Sequence, residues 1–488
     1  MASPHAPAAE RDPRRWWALA VIAGAQLVLM LDAVIVNIAL PSAQAELGLS
    51  DGDRQWVVTS YTLTFGGLLL LGGRLGDLLG RKRTFVAGLL GFAAASALAG
   101  AATNAAMLLT GRVLQGVFAS VLAPTIMSLI VVTFTDPRER GRAFGLYGVV
   151  GAAGGAFGLL IGGVITEFLD WRWTMYVNVP VAIAAAVAGG RLLVNVPAAR
   201  RARLDVPGTV LGTLGITALV FAFGRAEAEG WGSPEIIGLL VTSVVSLLAF
   251  VGWQTRAKAP LVPLRILADR TRAGALLTIL LMVCGNYGMF LMTTYFMQGV
   301  KDYSPLETGF GYLPMTGMMV LVSTVVVGRL GGRFSAARVI AAGLTSTTIG
   351  MLLLTRIDVD GSFATELLGP MLLFGLGMGM AFGKVIGLAT LGARPEDTGA
   401  ASALTNVGQQ IGGSIGAALL NTIAISAAAA YTGSGGPDAA ATHGFGVAFG
   451  WSAGFLFLAL LTVLLLIRTP RAPKPDVPEP QREVTVAA

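Results

Sequence analysis

Charged residues are scarce in this sequence. Asp, Glu, Lys and Arg make up 12% of the 488 residues, whereas 54% are hydrophobic and the mean hydropathy is +0.72. A soluble domain carries roughly 25% charged residues, so this chain lacks the charge needed to cover a water-facing surface. The composition excludes a soluble globular protein and predicts one that uses lipid as its solvent.

Residues for metal binding and nucleophilic chemistry are also nearly absent. The chain has one cysteine, Cys284, and two histidines, His5 and His443, which lie in polar flanking stretches. One cysteine excludes an internal disulfide and a cysteine-based metal cluster. The sequence lacks HExxH, and Gly383-Lys384 lacks the glycine spacing of a phosphate-binding loop. We therefore expect no metal, no cofactor, no nucleic-acid partner and no catalytic residue.

Long apolar runs are present instead, and they follow one another along nearly the whole chain. Each is about 20 residues long, the length at which an α-helix crosses a bilayer. Helices are the expected spanning form, because each backbone group must be bonded within the segment. We predict fourteen spans, at 17–40, 53–72, 84–103, 107–133, 142–166, 174–195, 206–224, 235–253, 273–297, 309–329, 337–356, 366–390, 400–428 and 445–467.

Lysine and arginine are distributed unevenly between the two sets of connecting loops. About 27 of the 34 lie in the termini and in the loops that follow even-numbered spans, and about five lie in the other loops. Loops rich in these residues stay in the cytoplasm. We therefore expect a multi-pass protein of the cytoplasmic membrane whose N- and C-termini are both cytoplasmic.

A four-residue sequence occurs twice at comparable positions. Gly73-Arg74-Leu75-Gly76 follows span 2 and Gly328-Arg329-Leu330-Gly331 follows span 10. Internal repeats that flank a midplane site are typical of secondary transporters. The repeat predicts an N-tail (1–16), a six-helix bundle (17–200), two inserted spans (201–260), a second six-helix bundle (261–467) and a disordered C-tail (468–488).

Asp32 in span 1 and Arg112 in span 4 are charged residues inside predicted spans. Each is costly there unless it is paired, neutralised or hydrated. With 1.5 Å per residue, Asp32 lies about 13 Å and Arg112 about 8 Å from the same membrane surface. We expect the two side chains to interact directly or through water, and we expect the carboxyl group of Asp32 to carry a proton. Two alternatives are open: Asp32 only bonds a neighbouring helix, or Arg112 extends to the headgroups.

Glycines mark two further stretches. Between spans 2 and 3, Gly73 to Arg83 combines three glycines with Asp77 and four basic residues. In span 5, regularly spaced glycines form a flat face that lets another helix approach closely. Simple anchoring by basic residues and ordinary helix packing are the alternative interpretations. The span 5 glycines are Gly145, Gly154, Gly158, Gly162 and Gly163.

These motifs resemble those of the fourteen-span drug/proton antiporters of the major facilitator superfamily. The resemblance extends over residues 17–467 and is carried by Leu31 to Pro41, Gly73 to Arg83, Leu108 to Gly116, Gly145 to Gly163 and Trp171 to Pro180. It implies an all-α integral membrane protein with the major facilitator fold, two six-helix bundles plus two extra central spans. It also implies a monomer that exports drug-like molecules and uses the proton gradient.

The resemblance implies roles for individual residues. Asp32 and Arg112 would couple transport to protons, and the span 5 glycines would form the antiporter motif, a tight seam between the bundles. A gating loop would close the cytoplasmic side, and Gly332, where the first copy has Asp77, would weaken the second copy. Leu159 replaces the family's proline, which puts a kink there in question. The gating residues would be Gly73, Asp77, Gly80 and Arg81.

Polar side chains in other spans are candidates for a substrate pocket. Their amides could instead bond helices together, and the lysine among them could extend to the cytoplasmic headgroups. Eleven methionines between Met282 and Met380 suit either an adaptable pocket or core filling. Alternative functions are an exporter of one metabolite or antibiotic and, more remotely, a receptor or enzyme. The pocket candidates are Asn37, Gln115, Lys384, Asn406, Gln409 and Gln410.

Overall fold

The computed structural model describes residues 14–194, 204–327, 334–391, 397–433 and 436–467. Within these ranges fourteen α-helices of at least 15 residues follow one another. They are α1 Arg15–Leu47, α2 Asp51–Leu79, α3 Arg81–Gly100, α4 Ala105–Thr133, α5 Pro137–Phe168, α6 Asn178–Leu192, α7 Val206–Glu229, α8 Pro234–Gln254, α9 Arg270–Tyr295, α10 Pro305–Leu321, α11 Ala336–Leu354, α12 Leu368–Thr390, α13 Thr398–Ala429 and α14 Gly436–Leu466.

These helices confirm the predicted fold class. Thirteen helices in the described ranges are long and apolar enough to cross a membrane, and α5, with 32 residues, occupies the place of the predicted fifth span. Short helical segments adjoin four of them. Trp173–Tyr176 precedes α6, Phe296–Val300 and Val322–Val326 extend α9 and α10 with π-helical geometry, and Phe363–Leu367 does so before α12.

Several helices extend beyond the predicted spans. α1 continues past Pro41 to Leu47, and α2 continues to Leu79, so most of the predicted gating loop is helical and Gly80 alone makes the turn. The φ of Gly80 is 91°, which a residue with a side chain rarely adopts. His443, predicted to lie in a flanking stretch, is part of α14. Hydropathy marks where a helix leaves the lipid, whereas backbone bonding continues beyond that point.

The helices form two groups, α1–α6 and α9–α14, each with extensive internal contacts. In the first, α4 contacts α2 and α3, α1 contacts α5, and α3 contacts α6. In the second, α9 contacts α13 and α14, and α11 contacts α12 and α14. The helices approach closely where small residues face each other: a Cβ at Gly72 in α2 would lie 2.0 Å from the carbonyl oxygen of Ser120 in α4.

The remaining pair, α7 and α8, is joined by the carboxylate of Asp205. This buried side chain accepts from the backbone N–H of Gly208 (3.0 Å), capping α7, and from Trp253 Nε1 (2.7 Å) and Gln254 Nε2 (2.8 Å) at the end of α8. α7 contacts both α2 and α13. The outer face of α8 is apolar and exposed, as Leu248 at 68% illustrates, which fits contact with lipid.

The bundle has two ends, which we call the Asp77 end, where α2 ends, and the Glu46 end, where α1 ends. Near the Asp77 end α2, α4 and α5 contact α10, α12 and α13. There a Cβ on Gly383 would lie 2.6 Å from the backbone nitrogen of Gly145, and the hydroxyls of Ser128 and Ser402 are 3.4 Å apart. The two groups of helices are therefore in direct contact at this end.

Candidate functional site

Asp32 lies in α1, and its side chain is fully buried. The guanidinium of Arg112, in α4 and 1% exposed, donates from Nη1 to Asp32 Oδ2 at 2.8 Å. The structure thus brings together the two charged residues that the sequence placed at similar depths. Because Arg112 is buried and bonded, it does not extend to the headgroups.

Uncharged side chains complete the hydrogen bonding of the carboxylate. Asp32 Oδ1 accepts from Gln115 Nε2 and from Asn178 Nδ2, each at 2.8 Å. Gln115 Nε2 also donates to the hydroxyl of Ser96 (2.8 Å), and Gln115 Oε1 accepts from Arg112 Nη1 (2.9 Å). Helices α1, α3, α4 and α6 each provide part of this cluster, which we call the Asp32 cluster.

Arg112 is held from the side of α2 as well. Its Nε donates to the backbone carbonyl of Val57 at 3.1 Å, and its Cζ lies 4.4 Å from the centre of the Tyr61 ring. The face of the Tyr61 ring attracts the guanidinium cation. The Val57 carbonyl accepts from Nε, which does not donate to the Asp32 carboxylate. Removing one partner of such a buried pair typically costs about 3–5 kcal/mol, because the other charge remains uncompensated.

The span 5 glycines contact different helices along α5. A Cβ on Gly154 would lie 2.7 Å from Met30 Cβ, and one on Gly158 would lie 3.2 Å from Val34 Cβ, both in α1. Of the three motif glycines whose neighbours are described, Gly145 adjoins the other group of helices, at Gly383. The expected seam between the bundles is therefore wrong for Gly154 and Gly158, which pack against α1 beside Asp32. Gly162 is buried, while the side chain of Leu159 and the surroundings of Gly163 lie outside the described part.

At the Asp77 end, the predicted gating residues lie where α2 meets α13. Arg81 Nη2 donates to Asp77 Oδ1 at 3.3 Å, and both side chains are buried. A Cβ on Gly399 would lie 2.3 Å from Asp77 Oδ2, and one on Gly73 would lie 2.8 Å from the Gly399 carbonyl oxygen. The second copy of the motif, 328–331, and Gly332 lie outside the described residues.

A second ion pair joins neighbouring segments at this end. Arg265, in the short helix before α9, donates from Nε and Nη2 to the two carboxylate oxygens of Asp397 at 2.9 and 2.8 Å. This two-point geometry fixes both position and orientation. Asp397 directly precedes α13, so the pair ties the start of that helix to the segment between α8 and α9.

The proposed pocket residues do not form one cluster. Gln115 belongs to the Asp32 cluster. Asn406 is buried in α13, where it donates to the Ser402 carbonyl at 3.0 Å and lies 3.3 Å from Met127 Sδ in α4. Lys384, Gln409 and Gln410 are half-buried; the two glutamines lie on the next turn of α13. Lys384 has no hydrogen bond to a described residue. The side chain of Asn37 lies outside the described part.

Several methionines of the second group fill its core. Met282, Met289, Met292, Met297 and Met371 are fully buried within the main apolar cluster. This placement favours the core-filling interpretation for these five side chains. Cys284 is buried too.

Sequence reasoning did not assign a role to Asn178, Ser96 or Tyr61. Asn178 belongs to the Trp171 to Pro180 stretch, which contributes to the resemblance to the fourteen-span antiporters. A buried polar side chain at the first position of a membrane helix was the available signal. Its partner could not be inferred, because the rotation of α6 relative to α1 depends on the packing of the whole bundle.

Metal binding has no counterpart among the described residues, where no group of three or more His, Cys, Asp or Glu side chains could hold an ion. The chemistry available to the Asp32 cluster is proton exchange at one carboxylate. Its immediate neighbours are a permanent cation, Arg112, and two amides, of Gln115 and Asn178.

Comparisons with known proteins agree with this architecture. Residues 22–417 match the model of the Major Facilitator Superfamily. The chain is 47% identical over 464 residues to the puromycin resistance protein pur8 of Streptomyces alboniger, covering 93% of this chain and 92% of that protein. It is 37% identical over 453 residues to the cephamycin export protein CmcT of Amycolatopsis lactamdurans, covering 92% of each.

A solved structure supports the fold independently. The crystal structure of the human organic anion transporter MFSD10 superimposes with a TM-score of 0.64, covering 93% of this chain and 100% of that one at 14% identity. The family match extends over most of the chain, and thirteen of the described helices are long and apolar enough to cross a membrane. The chain belongs to the Major Facilitator Superfamily of membrane transporters.

Proposed function

We propose that this protein exports antibiotic-like small molecules across the cytoplasmic membrane in exchange for protons, by alternating access. The observation that carries the proposal is the fully buried Asp32–Arg112 pair, 2.8 Å apart, inside an apolar helical bundle. A transporter driven by protons needs a carboxyl group that can hold one inside the membrane, and intramembrane carboxyls mark such sites. The chain acts as a monomer, with the proton gradient in place of a cofactor.

Protonation of Asp32 changes the forces within the cluster. The ionised carboxylate receives a charge-assisted hydrogen bond from Arg112, and a protonated carboxyl receives a weaker one. Arg112 stays charged in both states. Proton binding therefore loosens the tie between α1 and α4, while deprotonation restores it.

On the side of α1, this change is one helix away from the contact between the two helix groups. α1 packs on Gly154 and Gly158 of α5, and the beginning of α5 contacts α10 and α12 at the Asp77 end. A shift of α1 would therefore be passed to α5 and on to that contact. With the Asp77 end in the cytoplasm, as the basic loops predict, this structure represents the state that is closed to the cytoplasm.

The substrate class is supported by the relatives. Two proteins that match more than nine-tenths of this chain are named for puromycin resistance and cephamycin export. Each name refers to one antibiotic, so an exporter dedicated to a single compound is the second candidate. A panel of compounds separates the two, because a dedicated exporter responds to one member and a multidrug exporter to several.

The test is substrate-driven proton release from acid-loaded inverted vesicles that contain the protein. Wild type is expected to release protons when a substrate from a panel of antibiotics, dyes and lipophilic cations is added. Asp32→Asn is expected to abolish the release, since an amide cannot take up a proton in this range. Asp205→Asn is the matched control, because it makes the same change at a buried carboxylate outside the cluster, at the N-cap of α7, and should retain release.

Full proton release by Asp32→Asn would remove Asp32 from the mechanism. Transport by wild type with no proton movement for any panel member would refute proton exchange. Protein amount in the vesicles is measured for each variant, so that lost expression is not read as lost coupling.

A further inference from the structure

Asn178 has one hydrogen-bonding atom in use and one idle. Its Nδ2 donates to Asp32 Oδ1 at 2.8 Å, while its Oδ1 is buried and has no partner among the described residues. The side chain is 1% exposed. An unpaired buried oxygen is costly to keep, so its place beside the carboxylate calls for an explanation.

The other amide at the carboxylate has no idle atom. Gln115 uses its oxygen to accept from Arg112 and its nitrogen to donate to Asp32 and Ser96. Rotating this amide would point its NH₂ group at the guanidinium and its oxygen at the carboxylate. Gln115 is thus fixed as a donor to the ionised form of Asp32.

A proton arriving at Asp32 needs a different arrangement. Oδ2 receives the bond from Arg112, so the proton favours Oδ1, which faces only the two amides. The new O–H then requires an acceptor. The oxygen of Gln115 is taken, whereas the oxygen of Asn178 is one rotation away, because turning the amide about Cβ–Cγ exchanges O for NH₂ at almost unchanged shape.

Resting on the proposed function, we propose that Asn178 is a positioning residue that serves both protonation states of Asp32 by turning its amide. It donates to the ionised carboxylate and accepts from the protonated one. One amide atom is bonded and the other idle in each state, so the rotation favours neither. The Asp32 carboxyl group therefore keeps a hydrogen bond to Asn178 both before and after it takes up a proton.

The segment that carries Asn178 is anchored independently. Upstream of it, Trp171 Nε1 and Arg172 Nη1 each donate to the carboxylate of Glu46 at the end of α1, at 2.7 Å. Arg172 Nη2 also donates to the carbonyl of Ala102, beyond α3, at 3.0 Å. These three bonds, which we call the Glu46 clasp, hold the backbone in place, so the amide can turn without moving α6.

The groups that face Asp32 limit what else could titrate there. Among the described residues, α4 contributes Arg112 and α2 contributes Tyr61 behind it, and both are ionisable. α3 and α6 contribute Ser96 and Asn178, which are not. α5 faces this part of α1 with Gly158, whose Cβ would lie 3.4 Å from the Leu31 carbonyl oxygen.

The experiment is infrared difference spectroscopy across a pH titration of the reconstituted full-length protein. The protonated carboxyl band of Asp32 is identified by its loss in Asp32→Asn. In Asn178→Leu, which has a similar shape and no polar atom, we expect this band at higher frequency, because the O–H has lost its acceptor. Gln115→Leu is the comparison variant: it removes a hydrogen-bond donor from the carboxylate but no acceptor for the O–H, so the Asp32 band should keep its wild-type frequency.

Transport provides the second measurement. Asn178→Leu is expected to lower proton-coupled turnover by about tenfold, the effect of one lost hydrogen bond. An equal shift of the Asp32 band in Gln115→Leu would show that Asn178 has no special role as the acceptor, and it would overturn the proposal. An unmoved Asp32 band in a folded Asn178→Leu would also overturn it. Absence of an Asp32 band in wild type would refute the proton site itself, and this inference with it.

Discussion

At the scale of single residues, the sequence predicts the charged members of the site but not the neutral ones. A carboxylate and a guanidinium in apolar spans must find partners, and counting residues from the span ends placed Asp32 and Arg112 at similar depth. Asn178 and Ser96 carried no comparable signal, because hydroxyls and amides are tolerated throughout membrane helices. Which of them face a carboxylate depends on how neighbouring helices are rotated, and no single helix determines that.

The Glu46 clasp makes stability depend on pH. The hydrogen bond from Arg172 is the main cause that lowers the pKa of Glu46 below its ordinary value of 4.5, and the bond from Trp171 adds to it. A carboxyl with a depressed pKa stabilises the fold at pH values above its unfolded pKa, and this contribution is lost as pH falls through the folded value.

We therefore expect Glu46→Gln to unfold at a lower temperature than wild type at pH 7, and the difference to shrink as the pH falls through the lowered pKa of Glu46. Thermal unfolding of the detergent-solubilised proteins between pH 7 and pH 3 measures this. Asp438→Asn, at an exposed carboxyl in the first turn of α14, is the control and should follow wild type throughout. A wild-type melting temperature for Glu46→Gln at pH 7 would show that the clasp does not contribute.

At the scale of helices, hydropathy predicts the number and order of spans better than their ends. The continuation of α2 through Arg74 and Asp77 could not be read from polarity, since charged residues also occur in loops. In span 5, Gly154 and Gly158 lie in close contact with α1, whereas the prediction placed them between the two bundles. Glycine spacing shows that some helix approaches, whereas the identity of that helix is a property of the assembled bundle.

Gly399 tests the contact between α2 and α13. A methyl group there would lie 2.3 Å from Asp77 Oδ2 and 2.6 Å from the Gly73 carbonyl oxygen, and both distances are too short for a stable contact. We expect Gly399→Ala to separate the two helix groups at the Asp77 end. Spin labels on Arg83→Cys and Arg338→Cys, with Cys284 replaced by serine, should report a longer mean distance than in the unmodified background.

Gly387→Ala in α12 is the matched control, because a Cβ there has no atom within 4 Å. It should leave the label distance unchanged. An unchanged distance in Gly399→Ala as well would show that this contact does not hold the Asp77 end closed.

At the scale of the whole molecule, the charge asymmetry of the loops predicts its orientation in the membrane. Within the described ranges, consecutive long helices connect alternately at the Glu46 end and the Asp77 end. The loops of the Asp77 end carry most of the basic residues, so that end is expected to be cytoplasmic. Apolar surface on α8 shows which residues face lipid, but it does not distinguish one side of the membrane from the other.

Cysteine labelling tests this orientation. Gly232, between α7 and α8, and Arg256, after α8, are both exposed and lie at opposite ends. With Cys284 replaced, Gly232→Cys should react with a membrane-impermeant maleimide in intact cells, and Arg256→Cys should react only in inverted vesicles. The reverse pattern would invert the orientation and, with it, the direction of transport that we propose.

The position of α7 has a mechanical consequence. Helix α7 contacts α2 in one helix group and α13 in the other. If the two groups rotate relative to each other, α2 or α13 must therefore slide along α7. The contact is close there: Gly67 of α2 lies against Thr213 and Thr217 of α7, with no room for a larger side chain. Sliding at this contact would therefore require that position 67 keep a residue without a side chain.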